Sequence, residues 1–146
     1  MGKPVIINKF GRMTGWNSIT LNMLGRDVEG ITAIKYNDKV AKENAYGANK
    51  FPIGRGEGNY EPTCSLTLYK EEVDGLNASL PPGMRIQDIP PFDITVEYEN
   101  TAQSGIIQKD VIHNCEFTDR AIDVKQADGT IAPEYTLICS HIDWNI

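Results

Sequence analysis

Apolar and polar residues alternate at every second position along most of the chain, the pattern of strands with one buried face. From Trp16 to Leu24, the residues Ile19, Leu21 and Met23 share one face and Thr20 and Asn22 the other, and Gly25-Arg26-Asp27 reads as a turn. Val28 to Val40 predicts a second strand, with Thr32, Ile34 and Tyr36 opposite Ala33 and Lys35. The two make a hairpin. Alternation returns at Thr63–Leu68, where Cys64, Leu66 and Leu68 face inward. Phe92–Tyr98 sets Phe92, Ile94, Val96 and Tyr98 against Asp93, Thr95 and Glu97, and a turn is expected at Asn100–Gly105. Ile107–Phe117 carries Ile107, Val111, His113 and Cys115 without strict alternation. Ala121–Gln126 predicts a short strand ahead of the hairpin signal Asp128-Gly129. Glu134–Trp144 closes the chain, with Tyr135, Leu137, Cys139 and His141 opposite Thr136, Ile138, Ser140 and Ile142.

The period changes once. Tyr69, Val73, Leu76 and Leu80 form a helical stripe, so a single short helix is predicted over about 70–80. Glu71, Glu72 and Asp74 suit the positive end of its dipole, and Pro81-Pro82-Gly83 stops it. The expected fold is mainly β: one domain over 1–146, a small barrel or sandwich of about seven strands, with the helix as a plug over the sheet.

Residues 41–62 break the alternation. Gly47, Gly54, Gly56, Gly58, Pro52 and Pro62 fall here, and the stretch predicts a long extended loop. Its aromatics Tyr46, Phe51 and Tyr60 want a surface to bury against, which argues against plain disorder.

The 146 residues are 40% apolar and 23% charged, which fits one soluble globular domain. The net charge of −6 opposes gripping nucleic acid. No apolar run is long enough to span a membrane, the N-terminal apolar stretch is too short for a signal peptide, and Ile6 breaks the myristoylation pattern. A protein made and assembled in the cytoplasm is expected. The three cysteines, Cys64, Cys115 and Cys139, are odd in number and widely spaced, which suits free thiols in a reducing compartment.

Candidate chemistry is sparse. Gly54-Arg55-Gly56-Glu57-Gly58 has glycines enough for a phosphate loop, but a strand follows it where a helix is needed. A loop requiring positive φ is the expected reading. His113-Asn114-Cys115 and Cys139-Ser140-His141 would bring two Cys and two His together for zinc if their strands paired in register. The usual zinc spacings are absent, and the plain alternative is core cysteines beside satisfied or exposed histidines. No nucleophile elbow is present, and the pairs Glu71-Glu72 and Glu97/Glu99 read as solvated faces. No enzyme activity, cofactor or metal is expected. Charge carries more. Residues 35–60 hold Lys35, Lys39, Lys42, Lys50 and Arg55 against Asp38, Glu43 and Glu57, a net of +2 that leaves −8 for the rest. A basic, aromatic arm on an acidic body suits head-to-tail self-association, and Tyr46, Phe51, Arg55 and Tyr60 are its expected inter-subunit contacts.

The run Ile34–Val40, then Tyr46-Gly47, Pro52–Glu61 and Ser65–Leu76 resembles the tail tube proteins of tailed phages over about residues 16–80. That family is similar in fold to the tube protein of type VI secretion. The resemblance implies a small β-barrel with a flanking helix. Six copies join sheets into a ring, and rings stack into a hollow virion tail tube, with residues 41–62 reaching a neighbour. It further implies sheath, baseplate and tail-terminator proteins as partners. DNA would pass on ejection without specific binding. Six touching globules of this mass leave a hole about 38 Å across, wide enough for a duplex. Acidic walls would let DNA slide. The other readings are a secretion-type tube subunit and a β-sandwich module for carbohydrate or peptide, with Trp16 or Trp144 as its platform.

Overall fold

The computed structural model describes residues 15, 16, 19–100 and 106–146. The N-terminal apolar stretch and most of the expected turn at 100–105 lie outside them. Among the described residues, eight strands and one α-helix follow in order: β1 (Ile19–Met23), β2 (Arg26–Asp27), β3 (Ile31–Tyr46), β4 (Pro52–Leu68), α1 (Lys70–Ala78), β5 (Phe92–Asn100), β6 (Ile106–Phe117), β7 (Glu134–Ile138) and β8 (His141–Asp143), with a short 3-10 turn at Ile86–Asp88. Every pairing is antiparallel, in the order β2-β1-β5-β6-β7-β4-β3, with β8 on β6. The mainly β fold with a single short helix is therefore as expected.

The inward residues of the alternating strands form one core. Leu21 and Met23, Leu66 and Leu68, Ile94 and Val96, Ile112, Phe117, Tyr135 and Leu137 are all buried in it. α1 closes it through Val73, with Leu76 and Leu80 packed at the margin. Glu71 and Glu72 lie in the first helical turn, and Lys70 pairs with Asp74 one turn on at 2.5 Å.

β6 belongs to both halves of the sheet. It pairs with β5 over most of its length and with β7 through Glu116 and Phe117. A bulge lets it turn from one to the other. Asn114 is left-handed at φ 55°, and the register with β5 shifts between Phe92 and Ile94. This is why no strict alternation runs through Ile107–Phe117.

Several expectations need correction. Residues 41–62 are not a loop. They are the outer part of the long β3–β4 hairpin, paired from Ile31↔Leu68 to Tyr46↔Pro52, and only 47–51 turn. The pattern fails because this part has no core beneath it: nearly every residue from Lys39 to Glu61 is exposed, so neither face selects apolar side chains. Second, Gly54, Gly56 and Gly58 lie in β4 and none has positive φ. Close packing explains one of them, since a Cβ on Gly58 would sit 3.0 Å from the Ala41 Cβ. Third, Ala121–Gln126 forms no strand. Ile122 and Val124 are exposed, and the backbone is tied to the body beyond the segment, where the Leu68 and Lys70 N–H groups donate to the Pro133 and Ile131 carbonyls. The predicted last strand is also split, because Cys139-Ser140 interrupts it between β7 and β8, and the first two predicted strands make no hairpin, since β1 pairs with β2 and β5 while β3 pairs with β4.

Candidate assembly surface

The β3–β4 hairpin leaves the body at about Asp38. The eight residues Lys39–Tyr46 carry it roughly 25 Å outward at the usual strand rise. Register shifts at Val40/Lys42 and Ala45/Tyr46 add local twist and spoil the edge for indiscriminate pairing. Tyr46, Phe51 and Ile53 are all largely exposed at the tip, with the Lys50 ammonium 5.2 Å from the centre of the Phe51 ring. Three expected contact residues, Tyr46, Phe51 and Arg55, thus stand on the exposed outer hairpin, Arg55 bonded to Asn44 across it at 3.4 Å. Ile53 adds to the patch, and sequence reasoning did not single it out.

Tyr60 sits nearer the base and is engaged within the chain. Its hydroxyl donates to Asp38 Oδ2 at 2.7 Å and accepts the Ile142 N–H at 3.1 Å. The Trp144 indole N–H donates to the same Asp38 oxygen at 3.0 Å, and its ring stacks on Tyr36 at 5.3 Å. Trp144 is therefore a pin between the C-terminal segment and the hairpin. The two donors, Trp144 before Tyr60, hold the Asp38 carboxyl below the usual carboxylate range. Deeper in, the Tyr36 hydroxyl donates to buried Asp110 at 2.5 Å and accepts a hydrogen bond from the Tyr98 hydroxyl at 2.8 Å. The Asn145 N–H donates to the other Asp110 oxygen at 3.0 Å. Burial, then the bond to Asp110, pushes the Tyr36 phenol far up, so it stays a donor. These two layers hold the hairpin at a fixed angle. Sequence reasoning missed Asp38 and Asp110 as anchors, and an Asp amid strand residues was the available signal.

At the other end of the body, an open groove of about 780 Å³ runs between α1 and the β1–β2 turn, over Leu24, Leu76 and Leu80. Arg26 crosses it to Glu72 at 2.5 Å, and the Gly30 N–H donates to the second Glu72 oxygen at 3.1 Å. Arg26 is the main reason the Glu72 carboxyl titrates low.

The cysteines and histidines part company. Cys64, Cys115 and Cys139 are free and buried, and burial pushes the Cys64 thiol up to about 12 and the other two upward as well. His113 and His141 are register partners on β6 and β8, stacked at 4.4 Å, with Asp143 beside them. The bulge at Asn114 puts His113 and Cys115 on different faces, so the set of two Cys and two His does not assemble. Among the described residues no cysteine joins a group of potential metal ligands. Among them, too, no helix is long and apolar enough to cross a membrane.

No family model and no curated protein matches the sequence. Solved structures do share the fold. A chain of the sheath/tube terminator of an extracellular contractile injection system (PVC, extended state) aligns with a TM-score of 0.64 at 11% identity, covering 92% of this chain and 97% of that one. A chain of the anti-feeding prophage cap, which terminates the AFP tube, gives 0.61 at 11% identity over 97% and 94%. A chain of the PVC sheath-tube complex gives 0.59 at 13% identity over 88% of each. Over nearly its whole length, the chain has the fold of chains found in the tube, sheath and terminator assemblies of contractile injection systems.

Proposed function

We propose that this protein is a structural subunit of a phage-tail-like tube, which closes into rings with copies of itself. One observation carries the reading: a rigidly anchored hairpin with an exposed apolar tip projects from a domain whose own core is complete. The fold shared end to end with chains of tube and terminator assemblies supports it. In this reading six copies form the ring, rings stack, and the tip of each hairpin beds against a neighbour. Sheath, baseplate and terminator proteins are the further partners. The acidic net charge keeps a DNA cargo sliding in the lumen, and the chain performs no catalysis.

A second reading has a specific observation in its favour. Two of the near-full-length likenesses are to chains of terminating assemblies, and in this reading the ring caps a tube in place of extending it. Negative-stain microscopy of the purified full chain separates the cases. Long stacked tubes support the tube subunit, and isolated rings support the terminator. A monodisperse monomer at every concentration in sedimentation velocity refutes both.

A further inference from the structure

The cluster on β6 and β8 goes beyond the assembly reading and is independent of it. His113 and His141 face each other across the strands, and Asp143, two residues past His141, lies on the same surface. One ligand atom from each of the three lies within 4.8 Å of the others. His113 Nε2 is already 2.7 Å from Asp143 Oδ2. A tetrahedral zinc ion with bonds of about 2.1 Å spaces its ligands about 3.4 Å apart. To reach that spacing the donors move by up to about 1.4 Å: His113 Nε2 and Asp143 Oδ2 part, and the exposed His141 ring tilts out of its near-parallel stack (17°), because a metal lies in the plane of each imidazole that binds it.

The other ring nitrogens are engaged as a metal site requires. His113 Nδ1 lies 3.3 Å from Asp93 Oδ2 on β5, and His141 Nδ1 lies 2.8 Å from Ser140 Oγ. The Asp93 carboxylate is placed to accept a His113 Nδ1–H and the Ser140 hydroxyl to accept a His141 Nδ1–H, an arrangement in which each Nε2 binds the metal once His113 Nε2 gives up the proton it donates to Asp143. Ser140 Oγ is itself held by the Asn114 side-chain amide at 3.0 Å. The backbone contributes too, since the left-handed Asn114 turns His113 out to the surface while Cys115 goes into the core. A carboxylate–histidine pair, a second oriented histidine and a coordinating carboxylate form a donor set for borderline divalent ions, not for calcium or magnesium, which prefer oxygen alone.

We propose that His113, His141 and Asp143 bind one divalent transition-metal ion of the zinc type, with Asp93 and Ser140 as positioning residues. Three protein ligands leave the fourth position to water or to a donor from a neighbouring molecule. Binding displaces the His113–Asp143 hydrogen bond and releases any proton on the two Nε2 atoms.

The test titrates the full chain with Zn²⁺ by calorimetry and with Co²⁺ by absorption spectroscopy. One ion per chain is expected, with visible cobalt bands of a nitrogen–oxygen site and no thiolate-to-cobalt band in the near ultraviolet. His141→Ala and Asp143→Asn should each weaken binding at least tenfold. Asp93→Asn should weaken it about 10- to 100-fold while keeping the same cobalt bands. All three residues are at the surface, and an unchanged melting curve without metal verifies folding. Absence of saturable binding at millimolar metal overturns the proposal. So does a thiolate band, a stoichiometry other than one, or full affinity in His141→Ala.

Discussion

The hairpin tip gives the sharpest separation between folding and assembly. Tyr46, Phe51 and Ile53 are 64%, 64% and 75% exposed, so the single chain gains little from them. Tyr46→Thr, Phe51→Ser and Ile53→Thr keep strand-compatible residues within β3 and β4 and remove the apolar surface. Each exposed substitution should change monomer stability by no more than about 0.5 kcal/mol. Against a neighbour the account differs. Full burial of a large apolar side chain is worth about 1.5–3 kcal/mol, so covering the exposed two-thirds contributes about 1–2 each, or about 3–6 per hairpin. At about 1.4 kcal/mol per tenfold, the triple variant should lose about 10²- to 10⁴-fold in association constant at each contact. Sedimentation velocity over a concentration series, with micrographs of the same samples, reads the association, and thermal melting reads the fold. Rings or tubes at wild-type concentrations would refute the reasoning. So would a melting point lowered far enough to show that the tip stabilises the single chain.

The anchor and the body are tested separately. Asp38→Ala removes the shared acceptor of Tyr60 and Trp144, and amide exchange should speed up in residues 38–60 and 141–145 with the core strands unchanged. Glu72 is held low by Arg26, so its folded value lies below its unfolded one and the unfolded chain binds more protons in between. Its contribution is complete above about pH 4.3 and fades as pH falls through the folded value. Glu72→Gln should therefore lose stability at neutral pH and show a shallower acid decline in denaturant titrations. Ile112→Ala opens a cavity at a fully buried site and should cost about 2–5 kcal/mol by chemical denaturation with an unchanged slope. The three buried, protonated thiols should react with a thiol reagent only at the rate of unfolding.

Local pattern determined much of this protein. Wherever a strand has a core beneath one face, as Leu21/Met23, Leu66/Leu68 and Ile94/Val96 do, period two reports it directly, and the one change of period marks α1. The basic charge and surplus aromatics of the arm were also legible, because they are properties of residues and not of their contacts. Three things were decided only in three dimensions. The outer hairpin is held by backbone pairing in solvent, so no face selects apolar residues and the strands read as a loop. Ala121–Gln126 has strand-forming residues but pairs with no strand and buries no apolar side chain, and intrinsic preference alone does not hold it extended in the sheet. The left-handed turn at Asn114 separates His113 from Cys115, a rotation invisible to any rule of spacing. It leaves a surface cluster of imidazole and carboxylate where spacing alone offered a set of two cysteines and two histidines.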